Sequence, residues 1–163
     1  MPLATPTRPM PQPEQLREFL SDLLGQAVTV ERLTDELDVT DPEASLVTSV
    51  FLDDHAAIAG ACIAELAIAA HAGAALAMIP KPVADAAIAE RALRDNLRDN
   101  FYEVANIATS LLNGPSVAHL QISELVDGVP DPVRDLVVRA AGRRTFVVNL
   151  GDYGSGRLAL YAA

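Results

Sequence analysis

Three polar residues, Asp99, Glu103 and Asn106, follow one another at spacings of four and three. On a helix they occupy successive turns of one face. A carboxylate one turn from a carboxamide is a chemically usable pair. The carboxylate can take a lysine or arginine from a partner. The amide offers one acceptor and two donors, enough to hold a water molecule in a fixed direction. Asn is a mediocre helix former, so propensity does not account for an interior Asn106.

The element that must carry them spans residues 85–113 (ADAAIAERALRDNLRDNFYEVANIATSLLN) and reads as one long helix. At about 100° per residue, Leu93, Leu97, Phe101, Val104, Ala108 and Leu111 gather on one side. Asp95, Asp99, Tyr102, Glu103, Asn106, Ser110 and Asn113 fall on the other. The helix therefore packs along one face and presents a carboxylate and carboxamide ridge on the opposite one. Asn113-Gly114-Pro115 supplies its stop.

Around this rod the chain alternates between helical and strand patterns. Residues 14–24 repeat apolar side chains at helical spacing and stop at Gly25. Residues 27–33 form a candidate strand. The acidic run at 34–44 has neither the spacing nor the glycine of a calcium loop and reads as a solvated loop. Residues 45–52 and 55–64 read as paired strands. An alanine-rich helix over 65–79 ends at Pro80, and Pro82 suits the first turn of the long helix. A strand at 117–124 follows. A short helix then opens at 129–132, with Asp131 as its cap and Pro132 in its first position. The chain closes as a hairpin, 145–150 with 157–162, around the glycine-rich turn 151–156.

Composition narrows the function classes. The 163 residues suit one domain with a real core. Half are hydrophobic but only 4% are aromatic, so the core is aliphatic and offers few platforms on which bases could stack. A formal net charge of −10 argues against nucleic acid or an anionic membrane as partner. The lone Cys62 lies in an apolar run and reads as a buried, inert thiol. His55, His71 and His119 are too scattered for a metal site, and none is expected. The glycine-rich turn runs into a strand instead of a helix, which argues against a phosphate cradle. Residues 1–13 read as a flexible, proline-rich tail without a signal-peptide core. The apolar stretch 55–80 is interrupted by Glu65 and His71, so no membrane span is expected. A cytoplasmic domain over 14–163 is the resulting expectation.

With Asp99-x-x-x-Glu103-x-x-Asn106 on a helix, Pro130 about twenty residues on, and this order of elements, the chain resembles the CheC/CheX chemotaxis phosphatases. The likeness is to the CheX-like branch. It covers roughly residues 45–130, and the C-terminal hairpin is compatible with it. Some relatives carry a second E-x-x-N on the earlier helix, where this chain has Glu65-Leu-Ala-Ile68. One site per chain is therefore expected. The helix at 133–140 departs from the pattern and leaves the topology beyond Pro130 open.

The resemblance implies an α+β fold, an antiparallel sheet with two long helices packed on one face plus an N-terminal helix. It also implies a homodimer, plausible through a sheet edge. The implied activity is hydrolysis of the aspartyl phosphate of a CheY-like response regulator. Asn106 would orient the attacking water, Glu103 would pair with the regulator's lysine, and Asp99 would support them. The magnesium ion would be the regulator's, with no cofactor held by this chain. A non-catalytic signalling or flagellar-switch-like interaction domain on the same scaffold is the alternative. Composition alone also allows an alanine-rich regulatory dimer.

Overall fold

The computed structural model describes residues 8–163. In order, the elements are α1 (Pro13–Leu24), β1 (Thr29–Leu33), β2 (Leu46–Leu52), β3 (Ile58–Glu65), α2 (Leu66–Leu76), α3 (Lys81–Glu90), α4 (Asp95–Ala108), a single 3-10 turn (Thr109–Leu111), β4 (Gln121–Asp127), α5 (Asp131–Arg139), β5 (Gly142–Asn149) and β6 (Ser155–Ala162). The strands form one sheet in the order β1-β5-β6-β3-β2-β4, and every neighbouring pair is antiparallel. The fold is α+β, with α2 and α4 against one face and α1 beside them, as the sequence leads one to expect.

The central strand β2 explains why both faces are covered. Side chains alternate across a strand, yet all but the last residue of LVTSVFL is buried. Val47 and Phe51 enter the larger core with α1, α2 and α4. Leu46 and Val50 point the other way, into a smaller core closed by Val133 and Leu136 of α5. The helix α5 is thus the lid of the second face. Its cap is Pro130, and Asp131 lies inside its first turn, where it pairs with Arg134 at 3.0 Å.

The single long helix expected over 85–113 is two helices. Arg91 adopts a left-handed conformation (φ 54°) that caps α3, and Asp95 has φ 53° where α4 begins. Between them Leu93 is buried in the core. The break resets the helical phase, so Ala84 and Ala87 of α3 and Leu97, Phe101 and Val104 of α4 all reach the core. No glycine or proline marks the interruption.

Residues 1–7 of the expected tail lie outside the described residues. The rest of it packs on the domain. Arg8 donates to the carbonyls of Leu112 and Ala118, both at 2.7 Å, and Pro11 is buried. No helix among the described residues is long and apolar enough to cross a membrane. Cys62 is buried, which pushes its thiol up to about 12.

Gly73 of α2 is where the two long helices touch. A Cβ there would lie 2.5 Å from the Leu97 carbonyl oxygen of α4. Because that atom is backbone, relief requires the helices to separate. Gly73→Ala should therefore destabilise the fold by about 1–3 kcal/mol despite its better helix propensity. A denaturant melt checks this; a stability equal to wild type would place the α2–α4 contact elsewhere.

Candidate functional site

The amphipathic half of the long-helix expectation holds in α4. Leu97, Phe101, Val104 and Ala105 are buried, while Asp99, Glu103 and Asn106 are exposed. Glu103 and Asn106 sit on adjacent turns of one unbroken α-helix. Among the described residues neither side chain makes a hydrogen bond or ion pair, so both are free to engage an incoming group. Asp99 lies one turn before Glu103 and is equally unpaired among the described residues.

Two of the ridge residues do something else. Asn113 lies beyond the helix, and its amide clamps the following loop. Its Oδ1 accepts from the Leu120 amide at 2.8 Å, and its Nδ2 donates to the Leu120 carbonyl at 3.1 Å. It closes the approach to β4 and is not part of the exposed ridge. Tyr102 is half-buried. With Arg98, Asp99, Glu103 and Leu125 it lines a shallow groove of about 370 Å³ between α4 and β4.

The sequence reading missed the side chains that hold this helix still. Arg98 donates to the Leu125 carbonyl at 2.6 Å, to Asp127 at 2.9 Å and to the Leu93 carbonyl at 3.2 Å. It thereby ties the first turns of α4 to strand β4. On the α2 side, Asn100 Nδ2 donates to the Gly73 carbonyl at 2.9 Å. The signal for Asn100 was its poor helix propensity, the same one that pointed to Asn106. Nothing local marks Arg98 as an anchor to β4, because its partners on that strand, Leu125 and Asp127, lie 27 and 29 residues on.

At its C-terminal end α4 tightens without fraying. The Thr109 amide approaches the carbonyls of Ala105, Asn106 and Ile107, and Thr109 Oγ1 donates to the Asn106 carbonyl at 2.6 Å. The backbone of Asn106 is fixed while its side chain is free. This suits an amide that must present a defined direction to a partner.

Other candidates resolve into structural roles. Glu65 opens α2, and it accepts from the Arg157 amide at 2.6 Å and its guanidinium at 3.2 Å. His71 is buried in α2 against Gly154, and burial, opposed by Asp85 and aided by Lys81, holds it below its ordinary value. In the acidic loop, Asp38 accepts from the Thr40 amide at 3.0 Å and Glu36 pairs with Arg143 at 2.7 Å. A larger, mostly apolar concavity of about 500 Å³ lies between α3 and the start of α4, and neither Glu103 nor Asn106 lines it. The Glu103–Asn106 ridge is convex, with only the shallow groove beside it. That shape suits the surface of another macromolecule better than a small substrate.

An open six-stranded antiparallel sheet with α2 and α4 on one face is a fold this chain shares with solved FliM structures. Among solved structures, FliM in the FliM–SpeE complex from H. pylori is similar at a TM-score of 0.62 and 13% identity, over 92% of this chain and 80% of that one. The FliM middle domain from H. pylori is similar at 0.51 and 11% identity, over 92% and 84%. A CheX–CheY–BeF3–Mg complex from Borrelia burgdorferi also matches, at 11% identity over 88% and 90%, with a TM-score of 0.41. At these identities the likeness is one of fold. No family model matches the sequence, and no curated protein does.

The distinction between clamped and free amides is measurable. Asn113→Ala should lower stability by about 1–2 kcal/mol, because it strands two groups of Leu120. Asn106→Ala should stay within about 0.5 kcal/mol of wild type, as exposed substitutions do. Thermal melts of the two variants check this, and comparable losses would mean that the Asn106 side chain is not free.

Proposed function

We propose that this domain hydrolyses the aspartyl phosphate of a CheY-like response regulator, with Asn106 and Glu103 as the residues that act. One observation carries the reading: a carboxylate and a carboxamide, both exposed and unpaired among the described residues, project from adjacent turns of a helix anchored on both sides. An acyl phosphate is already activated, so a phosphatase needs mainly to place an in-line water. The Asn106 amide enters the regulator's phosphorylated pocket and accepts from and donates to that water. Glu103, one turn earlier, pairs with the regulator's lysine and sets the docking register. Asp99 reinforces the negative field at that lysine. Magnesium belongs to the regulator, and this chain supplies no metal ligand. Association as a homodimer through a sheet edge and a cytoplasmic location are part of the same reading; β1 and β4 are the two edges.

Dephosphorylation of a panel of phosphorylated receiver domains tests it. Asn106→Ala should lower turnover by about tenfold or more, equivalent to about 1.4 kcal/mol, with little change in KM. Glu103→Ala should mainly raise KM. Full turnover by the Asn106 variant would refute the mechanism.

The ridge carries Asp95, Asp99 and Glu103 within one helix, and it must approach an acidic phosphorylation pocket. Long-range repulsion then opposes encounter even though the docked Glu103–lysine pair is favourable. Association should be slow at low salt and faster as ionic strength rises through about 0.1 M, where the Debye length is about 10 Å. Stopped-flow association rates that fall with salt would contradict this.

The FliM likeness favours a second reading, a non-catalytic interaction domain on the same scaffold. Under it the same ridge binds a partner and hydrolyses nothing. Wild-type protein that binds a receiver domain yet leaves its phosphate lifetime unchanged would select this reading over the first.

A further inference from the structure

At the opposite edge of the sheet, arginine side chains meet without enough negative charge to neutralise them. Strand β1 ends where Leu33 pairs with Thr145, whereas β5 begins earlier, at Gly142. The outer edge of residues 142–144 therefore has no strand partner. A bay of about 430 Å³ opens there, lined by Arg32, Arg143, Arg144, Thr34, Thr145 and Glu36 among others. Three cations in one bay stand out in a chain with 12 Lys and Arg against 22 Asp and Glu.

Arg143 is already engaged. It pairs with Glu36 at 2.7 Å, donates to the carbonyls of Val137 and Ala140, and lies 5.8 Å from the centre of the Tyr161 ring. Arg32 and Arg144 are different. Neither forms an ion pair with a carboxylate of the described residues. The Arg144 side chain donates only to the Arg143 carbonyl, at 2.9 Å, and its Nε is buried with no acceptor. Arg32 faces Phe146 across the strand pair, and Arg144 precedes Phe146 by two residues. Both side chains therefore leave the same face of the sheet on adjacent strands. Like charges so placed repel.

We propose that this bay binds a small dianionic phosphate ligand, a phosphate monoester or pyrophosphate group, between the guanidiniums of Arg32 and Arg144, with Thr34, two residues after Arg32, donating to a remaining oxygen. Two uncompensated cations match two negative charges, and the guanidinium fork matches phosphate oxygens. A single carboxylate would leave one cation unneutralised. Strand spacing of about 4.8 Å puts this site on the order of 24 Å from β4, on the far edge from the α4 ridge. It does not depend on the phosphatase reading.

Calorimetric titration of the whole chain with pyrophosphate, and in parallel with inorganic phosphate, at constant ionic strength held by chloride, tests the assignment. Amide NMR shifts locate the site. Wild type should bind saturably at one ligand per chain, with shifts concentrated at Leu33, Arg144 and Thr145. Arg32→Gln and Arg144→Gln should each weaken binding by at least about tenfold, with melting temperatures unchanged. Arg32 is exposed and makes no side-chain hydrogen bond among the described residues, so that variant retains the fold in any event. Absence of saturable binding at millimolar ligand, unchanged affinity in both variants, or tighter binding of hexaglutamate than of pyrophosphate would each overturn it.

Discussion

The close contact between α2 and α4 at Gly73 is the constraint from which the ridge takes its orientation. Only a residue without a side chain lets the Leu97 carbonyl come that near. That contact sets the depth of α4 over the sheet, while Asn100 and Arg98 fix it laterally, one toward α2 and the other toward β4. A helix pinned on both flanks has little freedom to roll about its axis. Roll matters because each residue turns the side-chain direction by about 100°. A modest rotation would carry Glu103 or Asn106 toward the sheet or toward α2, and the two would no longer face a partner together.

The interruption at 91–94 serves the same end. A continuous helix from 81 to 108 would have to present the small residues of α3 and the large ones of α4 in one unbroken phase. The left-handed Arg91 ends the first helix, and the second starts afresh with Leu97, Phe101 and Val104 inward. The orientation of the ridge is therefore set within α4 itself. Left-handed backbone at two non-glycine residues costs about 1–2 kcal/mol each. Burial of Leu93 between them offsets part of that cost.

How much of this was legible in the sequence follows from the range of the interactions. Period and spacing placed Leu97, Phe101 and Val104 inside and Glu103 and Asn106 outside, because a single helix decides those positions locally. The strand pairs 45–52 with 55–64 and 145–150 with 157–162 were equally local, each closed by a short turn. The break at Arg91 was not legible, since no glycine or proline marks it and the apolar spacing runs through it. Asn113 was assigned to the ridge because its angular position allowed it; the chain leaves the helix before that residue, and Leu120 then claims the amide. The helix α5 was read from Asp131-Pro132 and its apolar spacing, but which face of the sheet it covers, like the anchoring of Arg98 to β4, depends on partners distant along the chain, which periodicity cannot reach. The same holds for the bay at Arg32 and Arg144, where two strands far apart in sequence converge.

The division between an acid and an amide along α4 follows from where each sits in the helix. The C-terminal end of a helix carries the negative pole of its dipole, where an anion is disfavoured. Glu103 lies five residues from the end at Ala108, outside the region where that pole acts strongly, and is placed where the dipole does not oppose it. Asn106 occupies the last turn, where a second carboxylate would be opposed by both the dipole and Glu103 one turn away. A neutral carboxamide escapes both penalties and still offers a donor and an acceptor. Thr109 satisfies the Asn106 carbonyl from below, so the helix end can approach a partner without also presenting that carbonyl as a competing acceptor. Exchange of the two residue types would put the negative charge at the pole and leave the interior turn without its anion, so the order carboxylate first, amide second is the one the helix favours.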